Sequence, residues 1–309
     1  MPESLKYSTA DGLDIYIDYV IPATATKENP APIYLWFHGG GLLQGTRKGF
    51  PHHWASASEK YGLCTVSADY RLAPQVRFPA IMQDCANVMK FLRSEEFGKA
   101  TEGRVDQSKI CISGGSAGGW LALLTGLGVG FEACGITPPA PPTSIAAIYP
   151  ISDLNDPFWH TKQHPVSYWP RVIQKEELTE YLDPNQPVSA ESSHDSPRAI
   201  FYHYMVQEGI LEDLLLNGTG IDPTAFSIAP AIKDGKAPHP NVPTYIVHGS
   251  IDDKVPIVQA EDVVNAMKEK GLSIEYERVE GADHLFDREP QHTMDQMYAF
   301  VKKQFGMSS

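Results

Sequence analysis

Residues 114–119 read Gly114-Gly-Ser-Ala-Gly-Gly119. Five of the six carry a side chain no larger than a methyl group, and the sixth, Ser116, offers a lone hydroxyl. Upstream, Lys109-Ile-Cys-Ile-Ser113 has the composition of a short strand; downstream, Trp120-Leu-Ala-Leu-Leu124 reads as the start of a helix. A Gly-rich strand-to-helix turn has two readings. One is a close approach of two backbones with no chemistry attached. The other is a nucleophile elbow, where a serine sits on a strained turn with its oxygen exposed and only small neighbours leave the turn room. The motif alone does not separate them, so the rest of the chain decides.

On either side of this stretch, strands alternate with helices. Residues 14–21 alternate in polarity and predict an antiparallel strand, and 24–32 form a polar, proline-bearing loop. The apolar run 33–37 predicts a strand buried on both faces. Strands are expected at 63–68, 109–113, 144–149, 244–248 and 273–279. Helices are expected at 80–96, 117–127, 258–270 and 291–305. This rhythm predicts the α/β class: a mostly parallel sheet flanked by helices on both faces. Residues 151–242 break it with many prolines and short helical pieces. A structureless loop of that length is not expected inside a compact domain. The segment therefore reads as a helical cap insertion, and 1–150 with 243–309 as the core. Aromatic residues cluster in the insertion, and Trp159, Tyr168, Trp169 and Tyr204 are the candidate substrate contacts.

Composition narrows the function. The chain has 309 residues, 42% of them hydrophobic, and a net charge of −13 with no Lys/Arg cluster. Nucleic acid and anionic membrane surfaces are poor partners for it. No apolar run approaches the ~18 residues of a membrane span. Residues 1–8 lack the basic and apolar regions of a secretory signal. Cys64, Cys85, Cys111 and Cys134 are scattered in apolar surroundings and read as buried thiols, not as disulfide or zinc pairs. Asn217-Gly-Thr219 matches a glycosylation pattern but reads as a turn. A cytoplasmic location is expected.

A serine hydroxyl is a weak nucleophile near neutral pH. It needs a base, a group to orient the base, and donors for the oxyanion. Each is expected at the C-terminal end of a parallel strand. His38-Gly-Gly-Gly41 follows the strand at 33–37 and leaves its backbone N–H groups unobstructed; the N–H of Ala117 is a further donor. The base is expected at His284, in the loop between the strand at 273–279 and the last helix. His248 and His194 are weaker competitors, the first because it lies so close to its strand, the second because it lies in the insertion. The orienting carboxylate is expected after the strand at 244–248, at Asp252, with Asp253 as the fallback and a capping role as the alternative for Asp252. The order Ser116, Asp252, His284 is that of α/β-hydrolases.

The chain resembles the hormone-sensitive-lipase-like group of α/β-hydrolase esterases. The resemblance rests on HGGG at 38–41, Asp69-Tyr-Arg-Leu-Ala-Pro74, Phe78-Pro-Ala-Ile-Met-Gln-Asp84-Cys85, GGSAGG, and the late Asp and His. It implies an oxyanion hole formed by Gly40, Gly41 and Ala117, and a buttress for that loop from Asp69–Pro74, with Ala73–Pro74 a candidate cis bond. Gln75 stands where the group usually has Glu, and only 37 residues precede His38, so the insertion must cover the site nearly alone. The HGS..D..VP ending is also similar to that of prolyl-oligopeptidase-like hydrolases. The expected activity is hydrolysis of a carboxylic ester of a small to medium apolar substrate, with neither metal nor organic cofactor. Thioester, lactone, amide or C–C cleavage, acyl transfer and dehydration are the alternatives within the fold. A catalytically silent ligand receptor is the alternative outside enzymology. The group often dimerises through its last strand or helix, so a homodimer is one expected state.

Overall fold

The strand β3 (Ala31–Phe37) shows how the molecule is layered. Side chains alternate across a strand. Ile33, Leu35 and Phe37 enter one hydrophobic cluster, while Tyr34 and Trp36 enter another. A strand with both faces apolar is buried between two helical layers. One layer is built from α2 (Phe78–Leu92), α4 (Ala117–Leu127) and α9 (Val258–Glu269). The other is built from α1 (His52–Tyr61) and α10 (Asp295–Phe305), which bring Trp54, Tyr298 and Phe305 against Tyr34 and Trp36. The computed structural model describes residues 2–193 and 195–307.

The remaining strands are β1 (Glu3–Ala10), β2 (Leu13–Val20), β4 (Cys64–Ala68), β5 (Val105–Gly115), β6 (Ser144–Ile148), β7 (Thr244–Gly249) and β8 (Ile274–Val279). The eight form one sheet in the order β1-β2-β4-β3-β5-β6-β7-β8. β1 and β2 run antiparallel and the rest are parallel. The registers Phe37↔Gly114, Gly115↔Ile148 and Gly249↔Val279 bring the C-terminal ends of β3, β5, β6, β7 and β8 to one rim. This is the α/β-hydrolase fold.

The structure adds elements that the sequence reading left out. β1 is an edge strand whose one buried hydrophobic side chain is Tyr7, so it carries no apolar signal. α1 buries His53 and Ser58 beside Trp54 and Ala57, which blurs its periodicity. The helix expected at 80–96 ends at Leu92. Ser94 then caps a separate α3 (Glu95–Ala100), its hydroxyl accepting from the Phe97 N–H at 3.2 Å. The cysteines are all unpaired, and three are fully buried.

Among the described residues of 151–242 are single-turn helical pieces and the short helices α5 (Thr179–Leu182), α6 (Phe201–Glu208), α7 (Leu211–Leu216) and α8 (Ile228–Lys233). Their buried side chains, among them Trp159, Phe201, Met205 and Ile228, belong to the same cluster as β3 and α4. The buried Arg198 ties the segment to the loops that follow β3 and β4. Its guanidinium donates to the carbonyls of Leu43 at 2.5 Å and Ala73 at 2.8 Å. No helix among the described residues is long and apolar enough to cross a membrane.

Candidate active site

β5 ends in Gly114-Gly115, and α4 begins one residue later. Ser116 between them has φ 60° and ψ −123°. Few non-glycine residues adopt such a backbone, and they do so where the surroundings force it. The forcing is visible in the glycines. A Cβ on Gly118 would collide with the Phe37 carbonyl of β3, and one on Gly114 with the backbone of Gly118. The small residues therefore let α4 lie directly against β3 and β5, and the serine is left on the turn. Its N–H donates to the Ile148 carbonyl at 2.9 Å and its own carbonyl accepts from the Trp120 N–H at 3.1 Å.

The loops after β7 and β8 bring Asp252 and His284 together. His284 Nδ1 lies 2.6 Å from Asp252 Oδ2. The neutral ring then carries its proton on Nδ1 and its lone pair on Nε2. The imidazole packs on Tyr149, with centroids 4.4 Å apart. Asp252 Oδ1 accepts from the N–H groups of Lys254 and Val255, each at 2.9 Å, so the carboxylate also organises its own loop. Burial opposes its charge, but the bonds from His248 and His284 outweigh that and hold its pKa well below the usual carboxylate range. Asp253 instead pairs with Lys254 at 2.7 Å. His194 lies outside the described residues.

His248 is the residue whose place the sequence reading missed. It is fully buried, and its Nε2 lies 3.1 Å from Asp252 Oδ2 and 3.0 Å from the Val255 carbonyl. One carboxylate oxygen thus meets two imidazoles. The i,i+4 spacing of His248 and Asp252 across a tight turn was the available signal. A second buried network lies behind Tyr149. The Tyr149 hydroxyl donates to Asp287, His53 Nε2 lies 3.2 Å from the same carboxylate, and His53 Nδ1 lies 2.8 Å from the Tyr298 hydroxyl.

The glycine loop after β3 turns sharply. Gly40 and Gly41 have φ 106° and 66°, and a Cβ on Gly40 would collide with the Gln44 carbonyl. The Asp69–Pro74 segment braces this loop. Tyr70 stacks on His38 at 4.2 Å and its hydroxyl donates to the His38 carbonyl at 2.7 Å. The Ala73 N–H donates to the Leu42 carbonyl at 2.9 Å. Asp69 takes the Arg47 N–H at 2.6 Å and the Arg47 guanidinium. The Ala73–Pro74 bond is cis. Gln75 bonds outward, to the carbonyls of Tyr181 and Asp183 and to Arg198, each at 2.9 Å.

Ser116, His284, Gly39 and Gly40 line one cavity of about 350 Å³. Gly41 and Ala117 adjoin these residues in the chain but are not on its wall. No hydrogen bond joins the Ser116 hydroxyl to His284 among the described residues; such contacts often tighten only around a bound substrate. Trp159, Tyr168, Trp169 and Tyr204 do not line the cavity either. The insertion contributes Ala199, Tyr202 and His203 instead. Trp159 is fully buried against Phe158. Tyr204 lies two residues from Tyr202 on α6, which puts it on another face of the helix. Trp169 and Tyr168 stand one layer back, Trp169 stacked on His203 at 4.1 Å and Tyr168 beneath the Lys254 ammonium at 4.4 Å. Burial, aided by Lys254, pushes His203 down to about 4, so it is neutral near pH 7.

Comparison with known proteins agrees with this architecture. Residues 219–308 match the prolyl oligopeptidase family. Three solved structures share the fold at under 25% identity. A protein of unknown function from Staphylococcus aureus has TM-score 0.73 and 18% identity, covering 99% of each chain. An α/β hydrolase superfamily protein from Enterococcus faecalis has TM-score 0.70 and 19% identity, covering 98% of this chain and 99% of that one. Esterase 2 of Thermogutta terrifontis has TM-score 0.63 and 22% identity, covering 98% and 92%. Among curated relatives, the non-reducing polyketide synthase stbA of Stachybotrys bisbyi is 30% identical over 92% of this chain. The polyketide synthase pkbA of Emericella nidulans is 28% identical over the same share. The chain spans only 14% and 13% of those two proteins. Residues 13–192, more than half the chain, match the BD-FAE model, so this α/β-hydrolase-fold chain belongs to the BD-FAE family.

Proposed function

We propose that the chain is a serine hydrolase that cleaves a carboxylic ester of a small to medium apolar substrate. The observation that carries this reading is the 2.6 Å contact of His284 Nδ1 with Asp252, on a ring that lines the same cavity as the strained Ser116. In this reading His284 Nε2 takes the Ser116 proton as the hydroxyl oxygen attacks the acyl carbon. The backbone amides of Gly40, Gly41 and Ala117 hold the oxyanion. His284 returns the proton to the departing alcohol, leaving an acyl-serine. Water, deprotonated by the same imidazole, then releases the acid. Asp252 keeps the Nδ1–H tautomer and stabilises the imidazolium. Residues 151–242 act as the cap that closes the cavity, through Tyr202 and His203. The location we infer is cytoplasmic.

One observation favours a second substrate class. The curated relatives named above are polyketide synthases, and polyketide chemistry runs on acyl thioesters. The same serine, base and donors would serve a thioester, with a thiolate as the leaving group. A panel of matched oxygen esters and thioesters sharing one acyl group separates the two. Higher kcat/KM on the oxygen esters supports the first reading. Turnover confined to thioesters replaces it with the second. No turnover of either by a protein whose Ser116 still reacts with a fluorophosphonate moves the activity to another bond type.

A further inference from the structure

The wall of the cavity beside Ser116 departs from the acidic composition of the chain as a whole. The sequence carries 38 Asp and Glu against 25 Lys and Arg. The cavity wall holds Lys254 and Arg288 and, among the described residues, no Asp or Glu. Its histidines are His38, His284 and His203, and burial holds the last of these down to about 4.

The two cations are not equivalent. Lys254 Nζ lies 2.7 Å from Asp253 and 3.2 Å from Asp283, and over the Tyr168 ring. Its charge is already matched. Arg288 forms no ion pair among the described residues. It is half-buried, and one terminal nitrogen donates to the Gly49 carbonyl at 2.7 Å. A guanidinium has five N–H donors in a planar fork, so most remain available. The adjacent Asp287 carboxylate is fully buried and occupied by Tyr149 and His53. The Arg288 charge favours that carboxylate through space, but no Arg288 N–H is spent on it, so the fork itself stays available at the wall. Arg288 is also placed to meet substrate: it follows the His284 loop by four residues and is bonded to the segment that leaves the glycine loop.

Building on the hydrolase reading above, and replacing its wholly apolar substrate with one that has a single charged end, we propose that this cavity selects substrates bearing a carboxylate remote from the scissile bond, and that Arg288 pairs with that carboxylate. Arginine and carboxylate match edge to edge through two parallel hydrogen bonds, which gives direction as well as charge. The preference then lies in binding, and it concerns the acyl or alcohol portion that projects toward Arg288.

The test uses two esters of equal acyl length, 4-nitrophenyl hydrogen adipate and 4-nitrophenyl hexanoate. Replacing Arg288→Met should lower the adipate-to-hexanoate ratio of kcat/KM by about tenfold or more, chiefly through the KM of the adipate. Arg288→Lys should retain a larger share of that ratio, since it keeps the charge and loses the fork. An equal fall on both esters would make Arg288 a structural tether and overturn the proposal; so would an unchanged ratio. If neither ester is turned over, the hydrolase reading is what fails on these substrates, and the proposal is read from binding alone. Calorimetry of Ser116→Ala protein with methyl hydrogen adipate and with methyl hexanoate should show the anionic ester bound more tightly, and adding Arg288→Met should abolish the difference. Equal affinity for the two esters in Ser116→Ala protein would overturn it.

Discussion

Among the described residues, two carboxylates with fully buried side chains hold imidazoles, and they do opposite things. Asp252 sits at the sheet rim with His284 at 2.6 Å, and the ring lines a cavity that also contains Ser116. Asp287 sits a few residues beyond His284 with His53 at 3.2 Å, yet both side chains are sealed from solvent, and the far nitrogen of His53 is occupied by Tyr298. The residue types are the same. Only the first pair puts its imidazole on the cavity wall that Ser116 also lines, and on that geometry the proposed proton transfer rests. The second fixes Tyr149, and Tyr149 is the surface on which the His284 ring rests. One pair is the proposed machinery and the other is its foundation.

Substitutions can break this comparison. Ser116→Ala should lower kcat by on the order of 10⁴–10⁶ on any ester the protein cleaves, with little change in folding, as read by steady-state kinetics and thermal melting. Asp252→Asn should cost on the order of 10⁴ in kcat, since the amide favours the wrong imidazole tautomer. His248→Leu should cost about tenfold in kcat. Its signature is an acid limb of kcat/KM moved to higher pH: with one donor fewer, Asp252 holds more charge against His284.

Asp287→Asn should act mainly on stability. It breaks a fully buried charged network, so a loss of about 3 kcal/mol is expected in denaturant unfolding, with activity per folded molecule changed much less. The pH dependence gives the sign. Burial opposes the charge of Asp287, but His53 and Tyr149 hold its folded pKa below the ordinary value of 3.8. Its stabilisation is therefore complete above pH ~4 and is lost as the pH falls through the folded value, and the variant should lack that acid limb. Asp253→Asn should change kcat by no more than about twofold, because Asp253 binds Lys254 and not the imidazole. Equal losses at Asp252 and Asp253 would dissolve the distinction between them.

What was legible in the sequence was whatever local backbone chemistry dictates. The glycines around Ser116 and after β3 are needed for close approach and positive φ, so they stand out as a pattern. Asp252 and His284 were legible because each follows a strand at the open rim. Contacts set by tertiary packing were not legible. His53, Tyr149 and Asp287 meet from three distant parts of the chain, and nothing local marks them. His248 was set aside for lying close to its strand, yet that closeness is what lets it reach Asp252 across the turn. In the insertion, aromatic content did not report orientation: Tyr202 and His203 reach the cavity, while Tyr168 and Trp169 support that wall from behind. The α/β-hydrolase fold was readable from the alternation of strands and helices. The family that matches is BD-FAE.

The central claim is that Ser116 is a nucleophile activated by His284. Mass spectrometry after brief exposure to a fluorophosphonate reads it directly. A single rapid adduct on Ser116 is expected, slowed by several orders of magnitude in His284→Ala and at most about twofold in Asp253→Asn. An unmodified Ser116 in folded protein, or an adduct formed at the same rate without His284, would contradict it.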